Sequence, residues 1–277
     1  MDEHIIEALG HAKIKIQNGE IKEIENPQIE YCPLFHKYRG IEKLDKKAID
    51  DNINFRIKDF GMCTSNRELR MKDFLSFGIS EIISTLIDEN ILDGAIMVCE
   101  GCGTVILDDS ELVQGVGGRV SGLVKTSPIS ELIESIGSSN VLNPETAEIN
   151  QIEGLKLAIK KGYKNIAITI VNSDDIASLN KIKEENPNVN IYSFLVHTTG
   201  LTKEDAEVLF NNCDVITGCA SKYIWELGEK NSLKTVGQSI PIYARTEKGK
   251  EFLELRLKKI GGEKPKKDNP PIPNPLI

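Results

Sequence analysis

No stretch of eighteen apolar residues occurs in this chain, so the sequence offers no membrane-spanning helix, which needs about 20. Its opening, MDEHIIEALG, lacks the basic start and long apolar core of a secretory signal; the expectation is a cytoplasmic protein with no membrane partner. A basic stripe is missing too. Lys and Arg number 34 against 42 Asp and Glu, a net charge of −8, and the cations are interspersed with acids. A nucleic-acid partner, which needs concentrated positive charge, is therefore disfavoured. Paired metal ligands are equally scarce. Of six cysteines only Cys99 and Cys102 are close in sequence, while Cys32, Cys63, Cys213, Cys219 and the histidines His4, His11, His36 and His197 stand singly. A structural zinc site usually wants a second ligand pair, so no metal is assigned, and the cysteines read as reduced thiols rather than a disulfide framework.

With 277 residues the chain has room for one large domain or two ordinary ones. Abundant Lys, Glu and Ile with little Gln resembles the composition of heat-adapted proteins. AKIKIQNGEIKEIE alternates apolar and polar residues on both sides of Asn18-Gly19, which predicts a hairpin with a two-residue turn. YCPLFHKYRG then reads as a loop, IEKLDKKAIDDNINFRIKDF as an amphipathic helix and GMCTSNRELR as a second loop, so residues 1–76 form a predicted N-terminal hairpin and helical cap.

From Phe77 onward helices and short apolar, β-branched strands alternate. FGISEIISTLIDENI is a predicted helix leading into the strand AIMVCEG, Asn140-Val-Leu142 a short strand candidate, Ile149–Lys161 a helix and IAITIV a strand. A helix over Ser173–Asn186, the strand IYSFLV, a helix over Thr202–Asn212 and the strand DVITG follow, then one or two more strands and a closing helix in TEKGKEFLELRLKKI. Short strands apolar throughout are expected where helices cover both faces of a parallel sheet. The fold class is thus α/β, a Rossmann-like, mostly parallel sheet over residues 77–262. PKKDNPPIPNPLI, with five prolines, leaves residues 263–277 as an extended tail that either docks or stays mobile.

In an open parallel sheet ligands bind outside the carboxyl ends of the strands. Here those ends carry Cys99-Glu100-Gly101-Cys102, Asn172-Ser173, His197-Thr198-Thr199 and Thr217-Gly218-Cys219. Asn172, Ser173 and Thr202 also read as helix N-caps, which needs no ligand. His197, the one histidine at a predicted strand end, is the candidate proton acceptor; a histidine satisfied by neighbouring backbone is the plain alternative. Glu100 is a candidate partner for a ribose diol or simply a solvated turn residue. QGVGGRVSG (Gln114 to Gly122) is either a glycine loop that brings backbone close to a cofactor or a flexible connection. It departs from G-x-G-x-x-G, which makes a nicotinamide dehydrogenase the weakest reading. Cys99 and Cys102 read most simply as a strand, turn, strand corner.

YCPLFHKYRGIEKL, VCEGCGTVI, VQGVGGRVSGLVKTSPI, VHTTGLT and VITGCAS together resemble the methanogenesis marker protein 8 family of methanogenic archaea and, within the same group, HcgC. The resemblance runs over most of the chain. It implies an S-adenosylmethionine (SAM)-dependent methyltransferase that methylates carbon 3 of a 6-carboxymethyl-4-hydroxy-2-pyridinol in biosynthesis of the iron-guanylylpyridinol (FeGP) cofactor of Fe-hydrogenase. The N-terminal ribbon and the proline-rich tail are the candidate contacts of an expected homodimer or higher homo-oligomer. Placed by topology against that chemistry, Glu100, Gln114, Gly115, Asn172, Ser173, Thr198, Gly218 and Cys219 would border SAM. Arg119, Thr199, Thr217 and Lys222 would border the pyridinol, with Arg119 or Lys222 pairing its carboxylate. The alternative is an accessory protein of methanogenesis, not an enzyme, that binds a metal or partner through Cys99 and Cys102.

Overall fold

The computed structural model describes residues 2–72, 77–119, 122–263, 265 and 267–277. The chain opens with strands β1 (His4–Ala8), β2 (Ala12–Gln17) and β3 (Glu20–Ile24), then helices α1 (Pro33–Arg39), α2 (Lys46–Phe60) and α3 (Ile79–Asp88). Next come β4 (Gly94–Cys99), β5 (Gly103–Leu107), α4 (Ser110–Gly117), β6 (Gly122–Lys125), α5 (Ser130–Ile136) and α6 (Gln151–Lys160). After them β7 (Asn165–Ile170), α7 (Asp175–Glu185), β8 (Asn190–Leu195), α8 (Lys203–Asn212) and β9 (Val215–Thr217) alternate. The chain closes with α9 (Lys222–Asn231), β10 (Lys234–Val236), β11 (Ile242–Ala244) and α10 (Glu247–Lys259). No helix among the described residues is long and apolar enough to cross a membrane.

Seven strands form the main sheet in the order β10-β11-β9-β8-β7-β4-β5. Its centre, β4-β7-β8-β9, is parallel, and β5, β11 and β10 join antiparallel at the rims. The period-2 alternation of a strand sends neighbours to opposite faces. Ala95, Met97, Val105, Ala167, Phe194 and Val215 enter one core, with α3, α4 and α10, while Ile96, Ile106, Ile166, Ile168, Leu195 and Ile216 enter the other. Because both faces are covered, the strands are apolar throughout. The parallel strands follow one another in chain order, and α6, α7, α8 and α9 pack side by side on one face. The α/β class with helices on both faces therefore stands, but the parallel run contains no reversal of strand order. Its functional edge is defined instead by what covers the strand ends.

That cover is a second, antiparallel sheet in the order β3-β2-β1-β6. Asn18 and Gly19 turn the β2–β3 hairpin with φ of 50° and 73°, the left-handed pair that a two-residue turn of this kind requires. α2 starts at Asp45, whose carboxylate accepts from the Ala48 amide at 2.8 Å, and stops at Gly61, φ 73°. β6 comes from the middle of the chain and pairs with β1, so the cap is not confined to residues 1–76. The proline-rich tail docks: Asn274 bridges Tyr31, and the Ile277 amide donates to the Ala220 carbonyl at 2.8 Å.

Three expectations are corrected. Pro33–Arg39, read as loop, is helical with proline in its first turn, where its missing N–H costs nothing. Asn140-Val-Leu142 is not a strand but a 3-10 turn over Ser138–Asn140 followed by a single bridge from Val141 to Val105. Of the glycine loop, Gly122 opens β6, and residues 114–117 are the end of helix α4, which is capped by the Asp109 carboxylate on the Leu112 amide at 3.0 Å. Its glycines permit close packing, since a Cβ on Gly115 would fall 2.0 Å from the Leu69 carbonyl oxygen. Positions 120 and 121 of that segment lie outside the described residues.

Candidate functional site

The segment His4–Gln17 folds back on itself at Leu9-Gly10-His11, because Ala8 pairs with Ala12 and leaves a three-residue loop with φ of 28°, 83° and 64°. This fold-back sets Glu7, near the end of β1, beside His11. His197, two residues past β8 and also left-handed at φ 57°, rises from the main sheet to meet them. Its Nε2 stands 2.8 Å from Glu7 Oε2, and His11 Nε2 stands 3.0 Å from the same oxygen. The two rings lie 5.2 Å apart. Gly122 sits opposite Glu7 in the β1–β6 ladder, and a Cβ there would fall 2.4 Å from His197 Nε2. A glycine is therefore what lets the imidazole reach the carboxylate.

The electrostatics follow from that geometry. Hydrogen bonds from His11 and His197 hold the Glu7 carboxyl well below the usual carboxylate range, against a smaller effect of burial. The bond to Glu7 outweighs burial at His11 and raises its pKa. At neutral pH Glu7 is an ionised carboxylate between the His11 and His197 rings, half-buried at the seam of the two sheets. Among the described residues, these three are the one group of His, Cys, Asp or Glu side chains placed to share a metal ion.

The loops after β8 and β9 meet as topology predicted. The Thr198 hydroxyl is within donor reach of the Thr217 and Gly218 carbonyls at 2.9 and 3.1 Å, and Thr199 Oγ1 accepts from the Ala220 amide at 3.2 Å. Thr217 Oγ1 lies 3.7 Å from Cys219 Sγ, and the Trp225 indole donates to the Cys219 carbonyl at 3.1 Å. Thr202 caps α8 as read, accepting from the Asp205 amide at 3.1 Å. Ser173 does not cap α7; its hydroxyl donates to the Asp205 carboxylate, tying the loop after β7 to the first turn of α8. Asn172 lies in the same loop, its carbonyl accepting from the Asp175 amide. Lys222 opens α9 and stays exposed over the Tyr223 ring.

Four other candidates move away from any open mouth. Glu100 is 1% exposed and forms a buried ion pair with Arg67 Nε. Arg67 also donates to the carbonyls of Glu68 and Gly115, the latter at 2.8 Å, and lies over the Phe60 ring. A carboxylate so engaged is a structural anchor and not a free ribose ligand. Gln114 is buried in α4 with its amide donating to Glu81 Oε1 at 2.7 Å, and Gly115 is the helical glycine pressed on Leu69. Arg119 also lies over the Phe60 ring, 4.8 Å from its centroid, and pairs with Glu68 at 3.2 Å.

The CEGC corner is a buried hairpin turn. β4 and β5 pair antiparallel from Ala95↔Leu107 to Cys99↔Gly103, with Gly101 and Gly103 left-handed at 81° and 71°. Cys99 and Cys102 are both fully buried. A hydrogen bond with Cys102, burial and the nearby Glu100 carboxylate together push the Cys99 thiol far above its ordinary pKa. His4, buried on β1, bridges to this turn: its Nδ1 is 2.6 Å from Thr126 Oγ1, which accepts from the Gly101 amide at 2.7 Å. Two surface concavities, about 500 Å³ between β3 and α2 and about 340 Å³ by α3, α4 and α10, lie away from the strand ends.

Glu7 and His11 are the site residues that the sequence reading missed. HIIEALGHAKIKI contains their signal: two alternating segments around Leu-Gly-His, with an acid and a histidine flanking the turn.

An α/β sheet whose strand ends are covered by a second sheet, with a Glu-His-His cluster at the seam between the two, thus defines the protein. Residues 4–258 match the family described as "Uncharacterized protein conserved in archaea (DUF2099)", and the chain belongs to that family. It is similar, at 41% identity over 285 residues and 100% of both chains, to "Uncharacterized protein MJ0054" of Methanocaldococcus jannaschii.

Proposed function

We propose that the protein is a small-molecule enzyme whose reacting centre is the Glu7–His11–His197 cluster, and that its reaction is methyl transfer from SAM to a ring carbon of a hydroxypyridinol. The observation that carries the reacting centre is the 2.8 Å contact between His197 Nε2 and Glu7. With Nε2–H donated to the carboxylate, Nδ1 keeps the lone pair, and Glu7 fixes both tautomer and ring orientation as a second carboxylate partner does in acid-base sites generally. In this reading a ring hydroxyl brought to Nδ1 would give up its proton, the carbon between the two ring oxygens would take the sulfonium methyl as its bond to sulfur breaks and S-adenosylhomocysteine leaves, and that carbon's own proton would then be released to restore the aromatic ring. The methyl-transfer half rests on the likeness of the VHTTGLT, VITGCAS and VCEGCGTVI segments to the methanogenesis marker protein 8 and HcgC group. The loops holding Asn172, Ser173, Thr198, Thr199, Thr217, Gly218 and Cys219 are the ligand-binding elements in this reading, while Glu100, Gln114 and Gly115 support the fold.

The experiment is isothermal titration of the purified protein with S-adenosylhomocysteine, with NAD as the control. Micromolar binding of the former alone, followed by methylation of a pyridinol that falls about 10²–10⁴-fold in His197→Gln with binding retained, is the expected result. Absence of S-adenosylhomocysteine binding removes the methyltransferase reading.

A further inference from the structure

We propose that Glu7, His11 and His197 form a three-ligand site for a divalent first-row transition ion, with the remaining coordination positions open to water or substrate oxygen. The inference deepens the reading of the same cluster: the ion replaces the protons that the imidazoles share with Glu7, and acidification of a bound hydroxyl passes from His197 Nδ1 to the ion.

Donor chemistry selects the class of ion. Two imidazole nitrogens and one carboxylate suit zinc, iron(II) or cobalt(II) and disfavour magnesium and calcium, which take oxygen ligands. Three protein ligands with an open side are the arrangement of reactive rather than structural metal sites. The spacing agrees. With metal–nitrogen and metal–oxygen bonds of about 2.0–2.2 Å, adjacent ligands stand about 2.9 Å apart in an octahedron and about 3.4 Å apart in a tetrahedron. The imidazole nitrogens lie 2.8 and 3.0 Å from Glu7 Oε2, and all three ligand atoms fall within 4.8 Å of one another. The two contacts to Glu7 thus match the octahedral spacing, and the separation of the two imidazole nitrogens, at most 4.8 Å, is the one an ion would close.

The backbone is shaped for this convergence. The ligands come from three separate places: β1, the turn after it, and the loop after β8. Both histidines sit in the left-handed region, an uncommon conformation for a residue with a side chain, and sustained here by the surrounding structure. Gly122 leaves the volume that the His197 ring occupies, and the Gln28 side chain lies beside the His11 ring, where a metal-bound imidazole takes an outer partner. Lys13 Nζ, 3.8 Å from Glu7 Oε1, keeps the carboxylate's second oxygen engaged.

The test uses the full chain, stripped with chelator and titrated at pH 7 with zinc chloride by calorimetry and with cobalt(II) by visible absorption. Expected are one ion per chain with a Kd of about 1 µM or tighter, d–d bands for cobalt, and a rise in melting temperature with zinc concentration. Glu7→Gln, His197→Asn and His11→Asn each weaken binding by about 100-fold or more; asparagine is chosen because it tolerates the left-handed backbone. Cys99→Ser with Cys102→Ser leaves affinity unchanged. The proposal is overturned if the wild-type chain takes up neither ion, if the His197 and His11 variants bind as wild type does, or if only the cysteine variant loses binding. S-adenosylhomocysteine titration of the stripped chain keeps the two ideas separate: nucleoside binding without metal uptake refutes the ion alone, and metal uptake without nucleoside binding refutes methyl transfer alone.

Discussion

Replacing Arg67 by alanine removes the guanidinium from a carboxylate that is 1% exposed. Glu100 then keeps its charge in a site sealed by β4, β5 and α4, or takes up a proton to lose it. Deleting one partner of a buried ion pair costs about 3–5 kcal/mol, because the surviving charge has no water to replace its partner. The carbonyls of Glu68 and Gly115 lose the Arg67 donor as well, Glu68 keeping Arg119 at 3.4 Å, and Phe60 loses one of the two cations 4.8 Å from its centroid. At roughly 2 °C per kcal/mol for a chain of this size, the melting temperature falls by about 6–10 °C. Urea unfolding followed by circular dichroism, with the slope checked for constancy, gives the free energy directly. The control is Arg67→Met combined with Glu100→Met, which removes both charges and keeps most of the volume. That double variant should recover half the loss or more, a coupling of about 2 kcal/mol. The reasoning fails if Arg67→Ala costs under about 1 kcal/mol, or if the double variant is as unstable as the two single losses added together.

Three further outcomes follow from the site. Glu7 has a depressed pKa, so its share of stability is present above the unfolded value of about 4.3 and is lost as pH falls through the folded one; His11, raised, contributes fully below about 6.5 and loses its share as pH rises through its folded value. The melting-temperature gap between wild type and Glu7→Gln should therefore peak between about pH 4.5 and 6.5 and narrow on both sides, and a gap independent of pH would sink the argument. Gly122→Ala places a methyl 2.4 Å from His197 Nε2, and should displace the imidazole and weaken zinc binding while shifting unfolding by about 1–3 kcal/mol, the usual cost of overpacking. In native protein a thiol reagent should modify Cys219 first, since Cys32, Cys63, Cys99, Cys102 and Cys213 are buried and burial raises Cys32, Cys63 and Cys213; fast labelling of Cys99 would contradict the packed corner.

The parts of the fold that were legible in the sequence are those decided locally. Asn18-Gly19 suits a two-residue hairpin turn, and the short runs at Asn165–Ile170, rich in β-branched residues, and Asn190–Leu195, with Ile, Tyr and Phe, have the length and composition of buried strands. What escaped depends on distant chain. Glycines at 115 and 117 look like a loop until Leu69, Ser80 and Met97 are seen pressing on them; only then does helix become the natural state of SELVQGVG. GLVK is too short to declare itself a strand without β1 beside it. Glu100 reads as a turn acid because nothing local announces Arg67, 33 residues earlier. His197 could be found from topology alone, being at a strand end, whereas Glu7 and His11 become functional candidates only once the small sheet is laid over that end.

The pairing of β6 with β1 also governs when the protein can become itself during synthesis. β1 presents one bare edge until residues 122–125 have left the ribosome, and at about 5–20 residues per second that is a wait of roughly 6–25 s. Glu7 must then wait for a partner 190 residues away in sequence. A nascent chain or proteolytic fragment ending before residue 122 carries an exposed strand edge and two of the three cluster residues, the kind of intermediate prone to edge-to-edge association. Competence at this site is thus coupled to completion of the chain, and a cell making the protein in quantity has a seconds-long window to protect.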